Sequence, residues 1–187
     1  MEYAHGVDDA VMMAYSLEQL NRMERRPFVA ALGTVFEDTP EVAVAVWPQR
    51  PFTTVEALHQ AMVAVVQGWN RDRQLLLIRA HPELGSRQVM AVDSVAEQTS
   101  RGLTQLSAAD QARLHNLNRA YREKFGFPFI IAVKSHRWDG QGPVQGGHCI
   151  FTALETRLQN SPETEYQRAL TEIAAIAHFR LIDRIDT

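Results

Sequence analysis

The sequence predicts an all-α fold, a single compact helical domain of about eight helices. Two observations predict it. Apolar residues recur at spacings of three and four along most of the chain, as in helices with one buried face. Only residues 129–133 have the continuous β-branched character of a buried strand, and no partner strand accompanies them.

Because 187 residues can bury roughly 70% of the unfolded surface in one core, we expect one domain over residues 16–187, after a flexible leader formed by residues 1–15.

The first half of the chain carries the signals of four helices. Two short amphipathic helices are predicted, one after Ser16 and one opened by Pro27. Thr53 and Glu56 form a Thr-x-x-Glu capping box, which predicts the start of a longer helix. The apolar stripe of that helix comprises Val55, Leu58, Met62, Val65 and Trp69. The apolar run 74–80 has no period, and we assign it to a helix because its neighbours are helical.

The second half continues in the same way. Ser107 is placed to cap a helix that Gly126 ends, and a further helix is predicted over residues 148–159. Ser161 followed by Pro162 predicts the start of the last helix, which we expect to pack across the core. The glycine-rich residues 139–147 predict a mobile loop or lid.

Composition restricts the classes of partner. The formal net charge is −3 without a dense block of Lys or Arg, so we expect a small-molecule ligand and no nucleic acid. No apolar stretch reaches the roughly 18 residues of a membrane span, and no signal peptide pattern opens the chain, which favours a cytoplasmic protein. The seven histidines are scattered without metal-ligand spacing, so no metal is predicted. A phosphate-binding glycine loop and a Gly-x-Ser-x-Gly motif are absent from the sequence.

The dipeptide His81-Pro82 is the first candidate for catalysis. Proline disfavours a helical conformation in its predecessor, so His81 should lie at the broken end of a buried helix with its ring held in one direction. Imidazole exchanges a proton near neutral pH because its ordinary pKa is about 6.5. The alternative is a histidine that interacts with the helix dipole, or a satisfied polar residue.

Two further polar features have a structural and a functional interpretation. Residues 94–98 contain a capping box, in which Ser94 pairs with Glu97; together with Gln98, Glu97 could also bracket a planar, ureide-like ligand. These two interpretations are compatible. On the predicted helix 148–159, Arg157 falls among the apolar positions, so its guanidinium projects from the apolar face. It is either a snorkelling side chain whose head reaches water or a two-pronged anchor for a carboxylate or a carbonyl-rich ring.

Three motifs in this order and spacing resemble the signature of the OHCU decarboxylase family, whose name abbreviates 2-oxo-4-hydroxy-4-carboxy-5-ureidoimidazoline decarboxylase. They are His81-Pro82-Glu83-Leu84-Gly85, Ser94-Val95-Ala96-Glu97-Gln98 and the stretch from Phe125 to Val133. The resemblance extends over about residues 17–181. It implies an all-helical lyase, commonly a homodimer, that works without a cofactor in urate degradation. The substrate would lose carbon dioxide to give S-allantoin.

The resemblance also implies roles for individual residues. His81 would deliver a proton to one face of the ring, with its direction fixed by Pro82. Glu97 would hold His81 or a ring N–H, while Ser94 and Gln98 would bond polar ring atoms. Arg157 would anchor charge. The backbone of one segment would line the ureide: Phe129, Ile130, Ile131, Ala132 and Val133. The competing hypothesis is a helical module that binds a ureide or carboxylate without turnover.

Overall fold

A computed structural model describes residues 14–84, 107–132 and 146–186. The described residues form eight α-helices, one 3₁₀ turn and two very short strands, so the predicted all-α class is confirmed. In chain order the elements are β1 Tyr15–Ser16, α1 Leu17–Arg22, α2 Arg25–Leu32, α3 Glu41–Val46, the 3₁₀ turn Trp47–Gln49, α4 Val55–Gln67, α5 Arg71–Ala80, α6 Ala108–Phe125, α7 Gly146–Arg157, α8 Pro162–Arg184 and β2 Ile185–Asp186. None of the helices in these ranges is both long and apolar enough to cross a bilayer.

Side-chain caps explain where several helices begin. Ser16 forms a reciprocal capping box with Gln19, in which the Ser16 hydroxyl accepts from the Gln19 amide at 3.1 Å. The cap of α4 is Thr54, whose hydroxyl accepts from the Ala57 amide at 3.0 Å. The prediction of Thr53 as this cap was wrong by one residue. Two adjacent threonines offer the same hydroxyl, and the backbone path of the preceding turn decides which one is used.

Two other helix boundaries differ from the sequence prediction. Helix α2 begins at Arg25, so Pro27 is its third residue rather than its first. Proline is tolerated there because the first amides of a helix have no partner inside it. Helix α7 begins at Gly146 and ends at Arg157, instead of covering 148–159. Gly146 and Gly147 therefore belong to a helix, while residues 139–145 of the predicted lid lie outside the described residues.

The run 129–133 does not form the buried strand that its composition resembles. Gly126 ends α6 in the left-handed conformation at φ 76° and donates its amide to Arg122 O at 2.8 Å. Phe129–Ala132 then pass through the core as irregular, buried chain, and Val133 lies outside the described residues. The two strands found are instead Tyr15–Ser16 and Ile185–Asp186, which pair in parallel near the ends of the domain.

Helix α8 is the central element of the core, as predicted for the last helix. It contacts α4, α5 and α6. Its buried apolar residues, among them Ala169, Ile173, Ala177 and Leu181, follow helical spacing. The same helix also buries three charged side chains: Glu165, Glu172 and Arg180. Buried charges need partners, and those partners define the two polar clusters of the domain.

Candidate active site

His81 lies at the position that the sequence predicts. It caps the C-terminus of α5 with extended backbone angles, φ −69° and ψ 134°, and it is buried at 5% exposure. The segment that follows is held against α6, since Asn118 donates to Leu84 O at 2.9 Å and Arg122 pairs with Glu83. Pro82 lies between these contacts and His81, so the imidazole is fixed from both sides.

The hydrogen bond at one ring nitrogen determines the tautomer of His81. Nδ1 is 3.0 Å from the carbonyl oxygen of Leu77, which can only accept, so Nδ1 carries the proton. Nε2 is left without a hydrogen bond from any described residue and lies 3.5 Å from Glu37 Oε1. Burial lowers the pKa of His81 below its ordinary value, with Glu37 acting in the opposite direction. The ring is therefore neutral at pH 7, with a lone pair on Nε2.

Glu37 is a site residue that the sequence analysis missed. It is 7% exposed, has a positive φ of 51°, and accepts from the Arg180 guanidinium at 2.6 Å. Arg180 also donates to Val35 O at 3.3 Å, which ties α8 to the turn after α2. A glutamate rarely adopts a left-handed conformation, so the buried ion pair must hold it there. No sequence pattern predicts this contact, because Glu37 and its neighbours are typical of an exposed acidic turn.

Arg157 belongs to a second buried cluster. Its Nε donates to Glu165 at 2.7 Å, and one terminal nitrogen donates to Ile130 O at 2.7 Å. The Tyr121 hydroxyl also bonds Glu165, and burial together with this carboxylate raises the pKa of Tyr121. Arg157 is only 7% exposed, so its head does not reach water and the snorkelling interpretation is wrong. Glu165, on the next helix, supplies a partner that helical phase cannot reveal.

This second cluster fixes the backbone of the segment after α6. The Ala132 amide donates to Glu172 at 2.8 Å, and the Ile130 carbonyl accepts from Arg157. Ile131 lies between these two bonds, and its own amide and carbonyl bond no described residue. The guanidinium of Arg157 also stacks on the Phe129 ring, 4.5 Å from its centroid. Residues 129–132 are thus held by one side chain from α7, Arg157, and one from α8, Glu172.

A cavity of about 480 Å³ opens beside this segment, and its lining includes Ile131, Arg157, Asn160 and Arg168. The volume suits a small polar molecule. His81 is not among the lining residues. Arg180, which pairs with Glu37 beside His81, and Glu172, which accepts from the Ala132 amide, are eight residues apart on α8, or about 12 Å along the axis. The described residues therefore place the predicted site residues in two groups, each linked to α8 through one of these side chains.

The remaining predicted site residues cannot be assigned to either group. Ser94, Glu97, Gln98 and Val133 lie outside the described residues. Their roles stay predictions. A larger cavity, of about 500 Å³, is lined by Phe36, Trp69 and Gln74 among others, and none of the predicted site residues contributes to it.

The described residues thus form an all-helical domain with a buried, directed imidazole and, apart from it, a cavity of the size that small molecules occupy. The family model described as OHCU decarboxylase matches residues 21–182. The chain belongs to the OHCU decarboxylase family.

Individual relatives agree with this assignment. The chain is 41% identical over 170 residues to the 2-oxo-4-hydroxy-4-carboxy-5-ureidoimidazoline decarboxylase of Halalkalicoccus jeotgali, covering 91% of this chain and 92% of that one. A crystal structure of (S)-allantoin synthase superposes with a TM-score of 0.71 at 28% identity, covering 92% of this chain and 55% of the other. A structure of OHCU decarboxylase in the presence of (S)-allantoin gives a TM-score of 0.62 at 25% identity, covering 82% and 96%.

Proposed function

We propose that this protein is a carboxy-lyase that converts 2-oxo-4-hydroxy-4-carboxy-5-ureidoimidazoline to S-allantoin and carbon dioxide. The observation that carries the proposal is the neutral, directed imidazole of His81 in a chain that belongs to this family. The same geometry argues against a binding module without turnover, since a ligand can be held without a buried imidazole whose Nε2 is left for proton exchange.

The reaction can proceed on the substrate's own ring. The bond between a ring carbon and its carboxylate breaks, and the electron pair enters the conjugated ring while carbon dioxide leaves. The ring nitrogen that receives the electron pair takes up one proton. The neighbouring ring carbon takes up a second proton, while the hydroxyl on the decarboxylated carbon loses one to become the carbonyl of allantoin. The protein has to position the substrate, exclude water and move a proton between defined atoms.

His81 supplies this proton movement. Because its ring is neutral with the proton on Nδ1, Nε2 first accepts a proton and then delivers it as the imidazolium. Delivery to one face sets the handedness of the product. Glu97 is proposed to hold His81 or a ring N–H, and Ser94 and Gln98 to bond the ring, on the basis of the resemblance.

The segment 129–133 is proposed to bind the ureide through its backbone. The amide and carbonyl of Ile131 bond no described residue. By contrast, the Ile130 carbonyl is bonded to Arg157, and the Ala132 amide is bonded to Glu172. The contacts of Arg157 occupy Nε and both terminal nitrogens, so at most a small part of its donor capacity is left for substrate charge. We infer that its main contribution is to hold this segment in place.

The activity can be tested on substrate generated in situ from urate by the two preceding enzymes. We expect circular dichroism to show S-allantoin forming faster than the spontaneous reaction. Racemic allantoin at the spontaneous rate would instead support the binding module.

The resemblance further supports a cytoplasmic homodimer that needs no cofactor for this reaction. We expect sedimentation equilibrium to give twice the mass of one chain. A single-chain mass at micromolar concentration would contradict the dimer without affecting the proposed activity.

A further inference from the structure

Three side chains that the proposed chemistry does not use meet between α4 and α8. Glu56 and His59 lie one turn apart on α4, and His178 lies on α8. One donor atom from each lies within 4.8 Å of the other two. Nδ1 of His59 is 3.8 Å from one carboxylate oxygen of Glu56, and Nδ1 of His178 is 3.4 Å from the other. Two imidazoles therefore face the two oxygens of one carboxylate.

The hydrogen bond at Nε2 of His59 determines which ring nitrogen carries the proton. Nε2 is 2.8 Å from the carbonyl oxygen of Ala174 on α8. A carbonyl only accepts, so Nε2 carries the proton and the neutral ring directs a lone pair from Nδ1 towards Glu56. The Nδ1 atoms of His59 and His178 are both buried, and neither forms a hydrogen bond with a described residue. The Nδ1 lone pair of His59 and the Glu56 carboxylate are thus two donors that face each other and can bind one cation between them.

We propose that Glu56, His59 and His178 bind a divalent transition metal, with Zn²⁺ as the best match, and that the metal clips α4 to α8. Imidazole nitrogen and carboxylate oxygen are zinc ligands with bonds of about 2.0–2.2 Å, which place tetrahedral donors about 3.3–3.5 Å apart. The separation of 3.4 Å between His178 and one Glu56 oxygen falls in that range, whereas the separation of 3.8 Å between His59 and the other oxygen exceeds it by about 0.3 Å. Mg²⁺ and Ca²⁺ prefer oxygen donors and fit this set poorly.

The surroundings of the three residues complete the site. The Ala174 carbonyl orients the His59 ring, as acceptors behind metal-bound histidines commonly do. The Glu56 side chain is 53% exposed, so water can enter as the fourth ligand.

The proposed metal acts on stability rather than on the reaction. It joins two helices that are distant in sequence, and the proposed decarboxylation uses other residues. A ligand that binds only the folded state at a hundredfold excess over its Kd should raise the Tm of a chain of this size by about 5–10 °C.

The test uses the full chain, stripped with EDTA and titrated with Zn²⁺ against a chromophoric chelator, with thermal unfolding measured in parallel. We expect one Zn²⁺ per chain and a higher Tm. His178→Ala should weaken binding at least tenfold and remove most of the rise in Tm. It is the preferred variant because this side chain is 32% exposed and its loss should not prevent folding.

Two further variants make the outcome decisive. His115→Ala removes an exposed histidine of α6 and should leave both zinc affinity and the rise in Tm unchanged. Glu56→Gln keeps the shape of the side chain, removes its charge and should also weaken binding. Zinc that binds His178→Ala as tightly as the parent chain would overturn the proposal, because the metal would then be bound elsewhere.

Discussion

Replacing His81 with alanine is expected to lower kcat for S-allantoin formation by about 10²- to 10⁴-fold and to abolish stereoselectivity. The reason is that Nε2 is the proposed proton carrier, and losing a positioned general acid–base group has an effect of this size. The measurement is the in situ assay, followed by circular dichroism and corrected for the spontaneous reaction. Parental rate with full stereoselectivity would refute the role of His81.

A second substitution separates chemistry from folding. In His81→Asn the side-chain amide takes the place of the Nδ1 donor to Leu77 O, but nothing replaces Nε2. We expect this variant to fold like the parent, by far-UV circular dichroism, and to lose activity as His81→Ala does. Full activity in His81→Asn would mean that the ring only supports the end of α5.

The pH profile gives an independent readout of the same group. Burial lowers the pKa of His81 below 6.5, so the neutral ring that accepts the first proton persists as the pH falls to that value. Activity should decline only at lower pH, where the imidazole becomes protonated. Glu37 raises the pKa of His81, so Glu37→Gln should move the decline to still lower pH. A decline that begins above pH 6.5 would contradict the neutral, buried ring.

The place of His81 is predictable because it depends on two adjacent residues. Proline sterically disfavours a helical conformation in the histidine before it. Because this effect involves only adjacent residues, the sequence alone predicts it. The position of Glu37 cannot be predicted from its neighbours in the sequence. Glu37 meets Arg180 across 143 residues, and its positive φ is imposed by that contact rather than by any local preference. Most helix positions were therefore foreseen, whereas the carboxylate facing His81 was not.

Arg157 is a second residue whose place on a helix the sequence predicts but whose partner it does not. Its helical phase places it among the apolar positions of the helix, but phase cannot show whether the side chain ends in water or against a charge. Glu165 follows it by eight residues, beyond a turn and on another helix. The sequence analysis predicted no metal, and the proposed zinc site could not be found from spacing, because His178 reaches Glu56 and His59 only through the packing of α8 on α4.

Glu165→Ala is expected to lower the free energy of unfolding by about 3–5 kcal/mol. The substitution leaves Arg157 buried without its main counter-charge, which is far more harmful than losing an exposed pair. The matched control is Glu155→Ala, which breaks the Arg113 pair. The two pairs have similar distances, 2.5 and 2.6 Å, but side-chain exposures of 9% and 0% against 45% and 46%. The control should lose less than about 1 kcal/mol in urea denaturation. Equal small losses would show that the buried pair carries no special weight.

The double variant Arg157→Met with Glu165→Leu tests what the pair does for substrate binding. Removing both charges relieves the uncompensated burial, so we expect part of the lost stability to return. The Ile130 carbonyl nevertheless loses its donor, so the segment around Ile131 keeps the Ala132 bond to Glu172 but loses its bond to Arg157. We therefore expect KM to rise more than kcat falls, because His81 is untouched. Recovery of stability together with a parental KM would show that Arg157 supports the fold and not the ligand-binding segment.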